Sequence, residues 1–336
     1  MIDDRYITLA HGNGGRFMRE LIEELFARHL ANPYLDVNLD ATVLEWHTGS
    51  KLVTSVDGFT VQPLEFPGGD IGSLAVNGTV NDLAVAGAIP RYLSLAAIIE
   101  EGLEVAQLDR IIASFAKAAQ IAGVQTVTGD TKVVPRGHGG GLYLTTTGIG
   151  EMPDHLQLGI NRIEDGDAIL VSGSVGDHGI CVMLAREEFD LKGDVQSDCA
   201  CVLPLTTSLA DLQGLRFMRD PTRGGLATVA YEMASTSKLA ARLIEDQVPV
   251  RDPVRSVCEM LGYDPYYLAC EGRVVAVVAQ ADAEQALSRW RALPQGSGAQ
   301  IIGRFESGSP RVILQTSLGG ERILDELEDD PLPRIC

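Results

Sequence analysis

The apolar positions in the first part of the chain alternate between helical and strand periods. A helical pattern over residues 17–30 follows the polar segment LAHGNGGR. Strands are predicted over residues 51–58, 92–99, 124–128 and 142–149. Asp70 is placed to cap a helix over residues 71–86, and a second, amphipathic helix is predicted over residues 105–122. This part of the chain therefore predicts one α/β domain.

The pattern restarts after residues 152–166, a stretch with Pro153, Gly159 and Gly166 that indicates a connector. Further strands are predicted over residues 167–172, 273–280, 301–304 and 311–315, and helices over residues 180–186, 224–235 and 283–292. The fold class is thus α/β (α+β), with two α/β domains at residues 1–155 and 156–318.

The last segment differs from both domains. Residues 319–336 contain two prolines, six acidic side chains and few apolar ones, so we expect a flexible tail. It ends in Cys336, a bare thiol with no core to join. Pro331 and Pro333 cannot donate hydrogen bonds and should keep the last residues extended.

Composition excludes several classes of protein. Of 336 residues 45% are hydrophobic and 22% charged, as in ordinary globular chains. The net charge is −19 and no Lys/Arg-rich run occurs, so a nucleic-acid surface is not expected. No apolar stretch reaches the length of a membrane span, and no targeting segment is evident, so we expect a cytoplasmic protein. None of the six cysteines forms a C-x-x-C pair, which argues against a zinc site or a disulfide framework.

Four aspartates follow predicted strands or lie in loops: Asp57 in SVDG, Asp82 in VNDLA, Asp130 in TGDTK and Asp220 in RDPTRGG. Carboxylates at strand ends point into the crevice where α/β folds bind ligands. Several of them can share Mg²⁺ ions that bridge a polyphosphate. Each aspartate taken alone is better explained by a tight turn. The four together predict a site for metal and nucleotide phosphates.

Two glycine-rich segments lie close to these aspartates. GNGG contains Asn13 and Gly14, and TRGGLA contains Thr222 and Gly224. Glycines let backbone N–H groups approach phosphate oxygens, and a following helix adds a favourable dipole. Because no G-x-x-x-x-G-K-[ST] occurs, a Walker-type ATPase is excluded. The four residues are candidate contacts to a nucleotide.

Two further residues are candidates for chemistry. Lys132, two residues after Asp130, can place a cation against a phosphate or a developing oxyanion, or can be a solvated surface lysine. Glu271 in ACEGRVV precedes a predicted strand and can line the cleft, or can serve as a capping or surface residue.

The motifs VDGF, VNDLAVAGAIP, GDTKV and DPTRGGLA occur in this order within residues 1–316. In this set the chain resembles the superfamily of aminoimidazole ribonucleotide synthetase, selenophosphate synthetase, thiamine-monophosphate kinase and the HypE hydrogenase maturation proteins. The resemblance implies an ATP-binding N-terminal domain, a C-terminal α/β domain, and a homodimer that pairs the N-terminal sheets. It also implies ATP and Mg²⁺ as cofactors, with the four aspartates as metal ligands.

The final PRIC is similar to the end of HypE family members. Selenophosphate synthetases instead carry a reactive residue near the N-terminus, and this chain has no cysteine before Cys181. One departure is Cys270, where HypE-like sequences often have Asn.

The resemblance to HypE implies an ATP-dependent carbamoyl dehydratase. Its reaction converts an S-carbamoyl group on Cys336 to a thiocyanate, which supplies the cyanide ligand of [NiFe]-hydrogenases. Lys132 and Glu271 would be the catalytic residues beside the carrier Cys336. The implied partners are the carbamoyltransferase HypF and the HypC–HypD iron–cyanide assembly complex.

Three alternatives stay open from the residues alone. One is a small-molecule amide-activating synthetase or kinase of the same superfamily, in which the tail is incidental. Another is a non-catalytic, nucleotide-dependent scaffold. The third is a thiol-redox protein that uses Cys199 and Cys201, although their spacing does not match the usual C-x-x-C pair.

Overall fold

The computed structural model describes residues 4–13, 15–37, 41–44, 46, 49–186 and 194–327. Its contacts divide the chain into two compact units. Among the described residues, one unit holds those up to Leu83 together with Ala88–Pro153, and the other holds Ala84–Gly87 and the residues from Asp154 to Leu327. Each unit combines helices with its own sheet, so the predicted fold class is confirmed.

The first unit is built on a four-stranded sheet with the strand order β1-β6-β4-β5. A two-residue pair, β2 (Glu65–Phe66) and β3 (Gly69–Asp70), lies apart from it. The sheet strands are β1 (Ser50–Phe59), β4 (Ile89–Glu100), β5 (Gln125–Val134) and β6 (Leu142–Pro153). All neighbours are antiparallel except β4 and β5, which are parallel. The edges of the sheet are therefore β1 and β5.

Three helical segments accompany this sheet. They are α1, which is α-helical over Arg16–Leu21 and Arg28–Leu30 and π-helical over Ile22–Ala27, α2 (Ile71–Val85) and α3 (Val105–Ala122). On β4, Leu93, Leu95 and Ala97 are at most 3% exposed, whereas Ile98 is 40% exposed. Side chains on a strand alternate between the two faces, so one face of the sheet is covered and the other is open.

The start of α2 is fixed by a reciprocal cap. The Asp70 carboxylate accepts the backbone N–H of Ser73 at 2.9 Å, and the Ser73 hydroxyl accepts the backbone N–H of Asp70 at 3.0 Å. This arrangement satisfies N–H groups that a helix end leaves without partners. The predicted N-cap is confirmed.

Three of the predicted acidic turns lie inside regular elements instead. Asp57 belongs to β1, Asp82 to the last turn of α2, and Asp130 to the middle of β5. The reason for Asp130 is that β4 continues to Glu100 and supplies hydrogen-bonding partners along the whole of β5. A predicted strand over residues 124–128 is thus extended to Val134, and it includes Lys132.

The second unit is built on a seven-stranded sheet with the order β13-β12-β9-β11-β7-β10-β8. The strands are β7 (Ala168–Val171), β8 (Leu215–Arg219), β9 (Ala240–Ile244), β10 (Val275–Val278), β11 (Gln300–Glu306), β12 (Val312–Gln315) and β13 (Glu321–Leu324). Only the β9–β12 pair is parallel among these neighbours.

Helices cover both faces of β7 and β10, whose residues are all buried. The helices are α4 (Asp177–Ala185), α5 (Leu203–Leu209), α6 (Gly225–Ser237), α7 (Asp252–Leu261) and α8 (Ala283–Arg291). Ile169 and Val171 of β7 pack in one apolar core with α6, and Ala168 and Leu170 pack in a second core with α5 and α8. Across the stretches that the structure describes, no helix has the length and apolarity to cross a membrane.

The first residues of the predicted flexible tail belong to the second sheet. Residues 321–324 form β13, which pairs with β12, and Leu324 is 1% exposed. Arg322 contacts Asp264 at 2.7 Å, and the Tyr267 hydroxyl donates to the carbonyl of Asp325 at 2.8 Å. The tail prediction is therefore wrong for residues 321–325, because one apolar side chain and an open sheet edge suffice to hold them. Residues 328–336, including Cys336, lie outside the described residues.

The cap of α2 gives a first prediction. Asp70→Ala removes the acceptor for the Ser73 N–H and should lower the free energy of unfolding by about 1–2 kcal/mol. Asp70→Asn is the matched control, because asparagine keeps an acceptor oxygen for the Ser73 N–H but carries no charge. Burial disfavours that charge in the wild-type protein and raises the pKa of the Asp70 carboxyl. Chemical denaturation of the three proteins measures the difference. Equal midpoints for Asp70→Ala and wild type would contradict the cap assignment.

Candidate functional site

The N-terminal glycine segment is held against the edge strand β5. A Cβ on Gly12 would lie 2.8 Å from the Val133 Cβ and 3.0 Å from the Val133 nitrogen, so only glycine fits there. The turn is fixed by His11, which is 1% exposed and whose Nδ1 accepts the Thr8 N–H at 3.1 Å. Asn13 follows directly, while Gly14 lies outside the part of the chain that the structure describes. The loop is therefore next to the strand that carries Lys132.

Asp130 and Lys132 form an ion pair on β5. Their side chains are 60% and 64% exposed, and the Lys132 Nζ lies 3.1 Å from Asp130 Oδ2. In the register of the sheet they lie opposite Ala96 and Ile98, on the open face. An exposed pair of this kind stabilises a fold little. The glycine loop and the ion pair thus lie at the same edge of the sheet, the loop against Val133 and the pair on the open face.

Asp57 and Asp82 lie together at the interface between β1 and α2. The Ser55 hydroxyl donates to Asp82 Oδ2 at 2.6 Å, and Ser55 and Asp57 share one face of β1 about 7 Å apart. A Cβ on Gly78, one helical turn before Asp82, would lie 3.7 Å from Asp57 Oδ2. Both aspartates are half-buried on the covered face of the sheet.

The two groups of charged residues do not meet within the first unit. β1 and β5 are the opposite edges of the sheet, about 14 Å apart across three strand spacings. Asp57 points to the covered face and Asp130 to the open face. Within the described ranges, no cluster of three or more His, Cys, Asp or Glu side chains could hold a metal ion. Within this unit Asp57 and Asp82 therefore lie apart from Asp130, and the shared site stays a prediction.

Two carboxylates at one place are still compatible with magnesium. Mg²⁺ takes oxygen ligands, keeps several waters, and is commonly held by one or two carboxylates together with substrate phosphates. The pair Asp57 and Asp82 offers such oxygens, and Ser55 already fixes the orientation of one of them.

In the second unit, Asp220 and Glu271 lie on two segments that run beside each other. The Cys270 N–H donates to the Pro221 carbonyl at 3.0 Å. A Cβ on Gly225 would lie 2.5 Å from the Leu268 carbonyl oxygen, so the glycine allows this close approach. Asp220 is 5% exposed and Glu271 3% exposed. The surface role considered for Glu271 is therefore excluded within this unit.

The segment TRGG forms the entry to α6. The Thr222 carbonyl accepts the Gly225 N–H at 3.0 Å, and Gly224 is the N-cap with a φ of 71°. A positive φ favours glycine at this position. The segment thus presents the N-terminus of a 13-residue helix next to Asp220 and Pro221.

Sequence patterns did not point to a buried charged group beside Glu271. The Asp198 side chain is 0% exposed and accepts the backbone N–H groups of Glu271 at 3.1 Å and Gly272 at 3.4 Å. Burial raises the pKa of the Asp198 carboxyl, and the nearby Arg273 guanidinium opposes this rise. The one hint in the sequence is Arg273 itself, a charge at the start of an apolar strand.

Known protein families match the sequences of both units. Residues 38–152 match the model of the AIR synthase related protein N-terminal domain, and residues 164–315 match the corresponding C-terminal domain. The chain is 47% identical to the carbamoyl dehydratase HypE of Azotobacter vinelandii over 332 residues, which are 98% of this chain and 97% of that protein.

Solved structures agree with this relationship. A crystal structure of hydrogenase maturation protein HypE in complex with ATP superimposes with a TM-score of 0.92 at 45% identity, covering 98% of this chain and 99% of that one. A crystal structure of a HypE–HypF complex gives a TM-score of 0.80 at 43% identity, covering 91% and 99%. The chain belongs to the HypE family of carbamoyl dehydratases, within the AIR synthase related proteins.

Proposed function

We propose that the chain is an ATP-dependent carbamoyl dehydratase that acts on its own C-terminal thiol. The substrate is an S-carbamoyl group on Cys336, the product is S-cyanocysteine, and the cyanide serves [NiFe]-hydrogenase assembly. The observation that carries this proposal is the 47% identity to a carbamoyl dehydratase over nearly the full length. The glycine segment held beside Asp130 and Lys132 supports it, since the arrangement suits a nucleotide phosphate.

The chemistry converts a poor leaving group into a good one. The carbamoyl oxygen attacks the γ-phosphorus of ATP, ADP leaves, and nitrogen loses one proton. The C–O bond then breaks, phosphate leaves, and loss of the second nitrogen proton gives S–C≡N. Lys132 neutralises charge on the phosphoryl group or the carbamoyl oxygen. Glu271 is the carboxylate that we assign to proton removal, and its burial keeps bulk water away from that step.

The proposed phosphate and metal contacts are the residues predicted from the sequence. Asn13, Gly14, Thr222 and Gly224 contribute the loops, and the oxygens of Asp57, Asp82, Asp130 and Asp220 are available to Mg²⁺ and its waters. When bound, Mg²⁺ neutralises charge on the phosphates.

A homodimer completes the proposed site. The open face of the first sheet exposes apolar side chains: Leu52 is 62% exposed, Val56 66% and Ile98 40%. A second copy that covers this face buries them and also removes the free edges β1 and β5 by closing the two sheets into a barrel. In such a barrel, β1 of one copy lies next to β5 of the other. The strand that carries Asp57 in one copy then lies beside the strand that carries Asp130 and Lys132 in its partner, and we propose that both groups reach one ATP molecule at this seam.

Cys336 is the proposed carrier, and three of the other thiols are poorly suited to that role. Burial raises the pKa of Cys181 and of Cys258 to about 11, and that of Cys270 well above its usual value. Such thiols carry little thiolate at neutral pH and are weak nucleophiles. A fully extended stretch of nine residues, the length of 328–336, reaches at most about 30 Å. This is the maximum distance that Cys336 can lie from residue 327.

The partners follow from the same proposal. HypF would load the carbamoyl group and the HypC–HypD complex would receive the cyanide, and the relative in the HypE–HypF complex supports the first of these. A cytoplasmic location agrees with cysteines that form no disulfide among the described residues.

The carrier assignment predicts a mass change at one residue. After carbamoylation the intact chain should gain the mass of one carbamoyl group, and ATP should then remove the mass of one water. Cys336→Ala should abolish both changes and leave the fold intact, whereas Cys258→Ala, the control, should keep both. Persistence of either change in Cys336→Ala would refute the assignment.

The shared site predicts complementation between inactive variants. Asp57→Asn and Lys132→Ala should each be inactive alone. Unfolded together and refolded, they form heterodimers with one intact site, so roughly a quarter of wild-type activity should return. Mixing Asp57→Asn with Asp82→Asn, both from the same half of the site, is the control and should restore nothing. Absence of recovery in the first mixture would place Asp57 and Lys132 of one site in the same copy.

The packing of the glycine loop predicts different effects of two neighbouring substitutions. Gly12→Ala puts a methyl group against Val133 and should displace the loop, so the Kd for ATP should rise about tenfold or more. A methyl group on Gly15 meets nothing within 4 Å, so Gly15→Ala should bind ATP nearly as wild type does. Calorimetric titration with ATP compares them, and similar Kd values for both variants would argue against a nucleotide role of the loop.

A further inference from the structure

The buried carboxylate of Asp198 has no part in the reaction described above, although it lies directly behind Glu271. We propose that Asp198 is a positioning residue that fixes the backbone of Glu271 and thereby the placement of the Glu271 carboxylate. This inference rests on the proposed function, in which Glu271 removes a proton.

Asp198 contacts the segment at two successive positions. Oδ1 accepts the N–H of Glu271 at 3.1 Å and Oδ2 accepts the N–H of Gly272 at 3.4 Å. Hydrogen bonds from backbone N–H groups to a buried carboxylate are charge-assisted and directional. Because these N–H groups belong to the peptides before and after Glu271, the two bonds fix the backbone on both sides of its Cα.

The approach of the two segments is possible only because residue 272 is glycine. A Cβ there would lie 1.9 Å from the Asp198 carbonyl oxygen and 3.0 Å from the nitrogen of Ala200. The backbone around Asp198 therefore supports the Glu271 segment directly, in addition to the side-chain contacts.

Arg273 holds the carboxylate from the other side. Its Nε lies 3.4 Å from Asp198 Oδ2 and donates to the Ser174 carbonyl at 2.8 Å. Its Nη2 lies 3.4 Å from Asp177 Oδ2, and Asp177 is 1% exposed. Asp198 is thus tied to the start of α4 through a guanidinium, which presents several donors in a fixed plane.

The rest of the segment is also pinned. The Cys270 N–H donates to the Pro221 carbonyl at 3.0 Å, and the Val274 N–H donates to the Ser172 hydroxyl at 2.9 Å. Together with the contacts of Asp198, every backbone N–H from residue 270 to 272 has a partner outside the segment. Glu271 is therefore placed by its surroundings rather than by membership of a strand or helix.

Stability alone does not explain this network. Removing two charges from water costs more than a buried ion pair commonly returns, and apolar replacements are often as stable. Precise placement does explain it, because a shift of about 1 Å in a reacting group can reduce a rate about 100-fold.

The test measures single-turnover water loss from the carbamoylated chain by intact mass. Asp198→Asn puts an amide N–H₂ where one backbone N–H needs an acceptor. At saturating ATP its rate should fall about tenfold or more, with the KM for ATP unchanged. Asp167→Asn is the matched control: Asp167 is 3% exposed, lies 3.3 Å from Arg216 Nε, and accepts the Glu164 N–H at 2.8 Å, far along the chain from Glu271. It should lose similar stability and keep its rate.

A double-mutant cycle separates positioning from general support of the fold. If Asp198 acts through Glu271, then Asp198→Asn combined with Glu271→Gln should be no slower than Glu271→Gln alone. If the two rate losses multiply, Asp198 acts independently and the inference is overturned. A wild-type rate for Asp198→Asn also overturns it. Should Asp198→Asn fail to fold, Arg273→Lys, which keeps the charge and loses the planar donors, takes its place in the same cycle.

Failure of this inference is distinct from failure of the proposed function. If wild-type protein shows no ATP-dependent water loss, the proposed function is wrong. If water loss depends on Cys336 and yet neither Glu271→Gln nor Asp198→Asn changes its rate, the function stands and the positioning role is refuted.

Discussion

The alternation of side chains along the strands of the first sheet determines on which face each charged residue of this unit lies. Leu93, Leu95 and Ala97 turn inward because helices cover that face, and the residues between them must then face outward. On β5, Asp130 and Lys132 lie opposite Ala96 and Ile98 of β4, so their side chains also point to the open face. It also puts Asp57 on the covered face of β1. One rule of strand geometry thus separates charges that the sequence suggests should meet.

The second unit obeys a different constraint. Its strands β7 and β10 are buried on both faces, so these two strands carry no charged side chains. Asp220 and Glu271 instead occupy irregular segments beyond the strand ends, where backbone N–H groups require partners of their own. Asp198 supplies two of these partners. The buried carboxylate of Asp198 therefore acts mainly as a hydrogen-bond acceptor for the backbone. The function that we propose for Glu271 depends on how firmly this backbone is held.

The sequence predicted elements well where a periodic apolar pattern ended in a clear stop. α3 spans Val105–Ala122 as expected, because an amphipathic pattern runs into Gly123, whose φ is 72°. β5 was predicted too short because TGDTK is polar, although its partner strand satisfies that backbone. β13 was missed because a single buried side chain, Leu324, anchors it. Asp198 was out of reach, since its partners lie 73 and 74 residues away and follow no period.

Exposure differs between the two groups of charges in a way that suits their roles. The Lys132–Asp130 pair is solvated and stabilises the fold little, so either partner can exchange the other for a ligand at small cost. The Asp198–Arg273 pair is desolvated, and removing one partner would leave an uncompensated buried charge, which is expensive. The first arrangement permits binding and release of a charged substrate. The second resists displacement, which is the property needed behind a group that must stay in place while a proton moves.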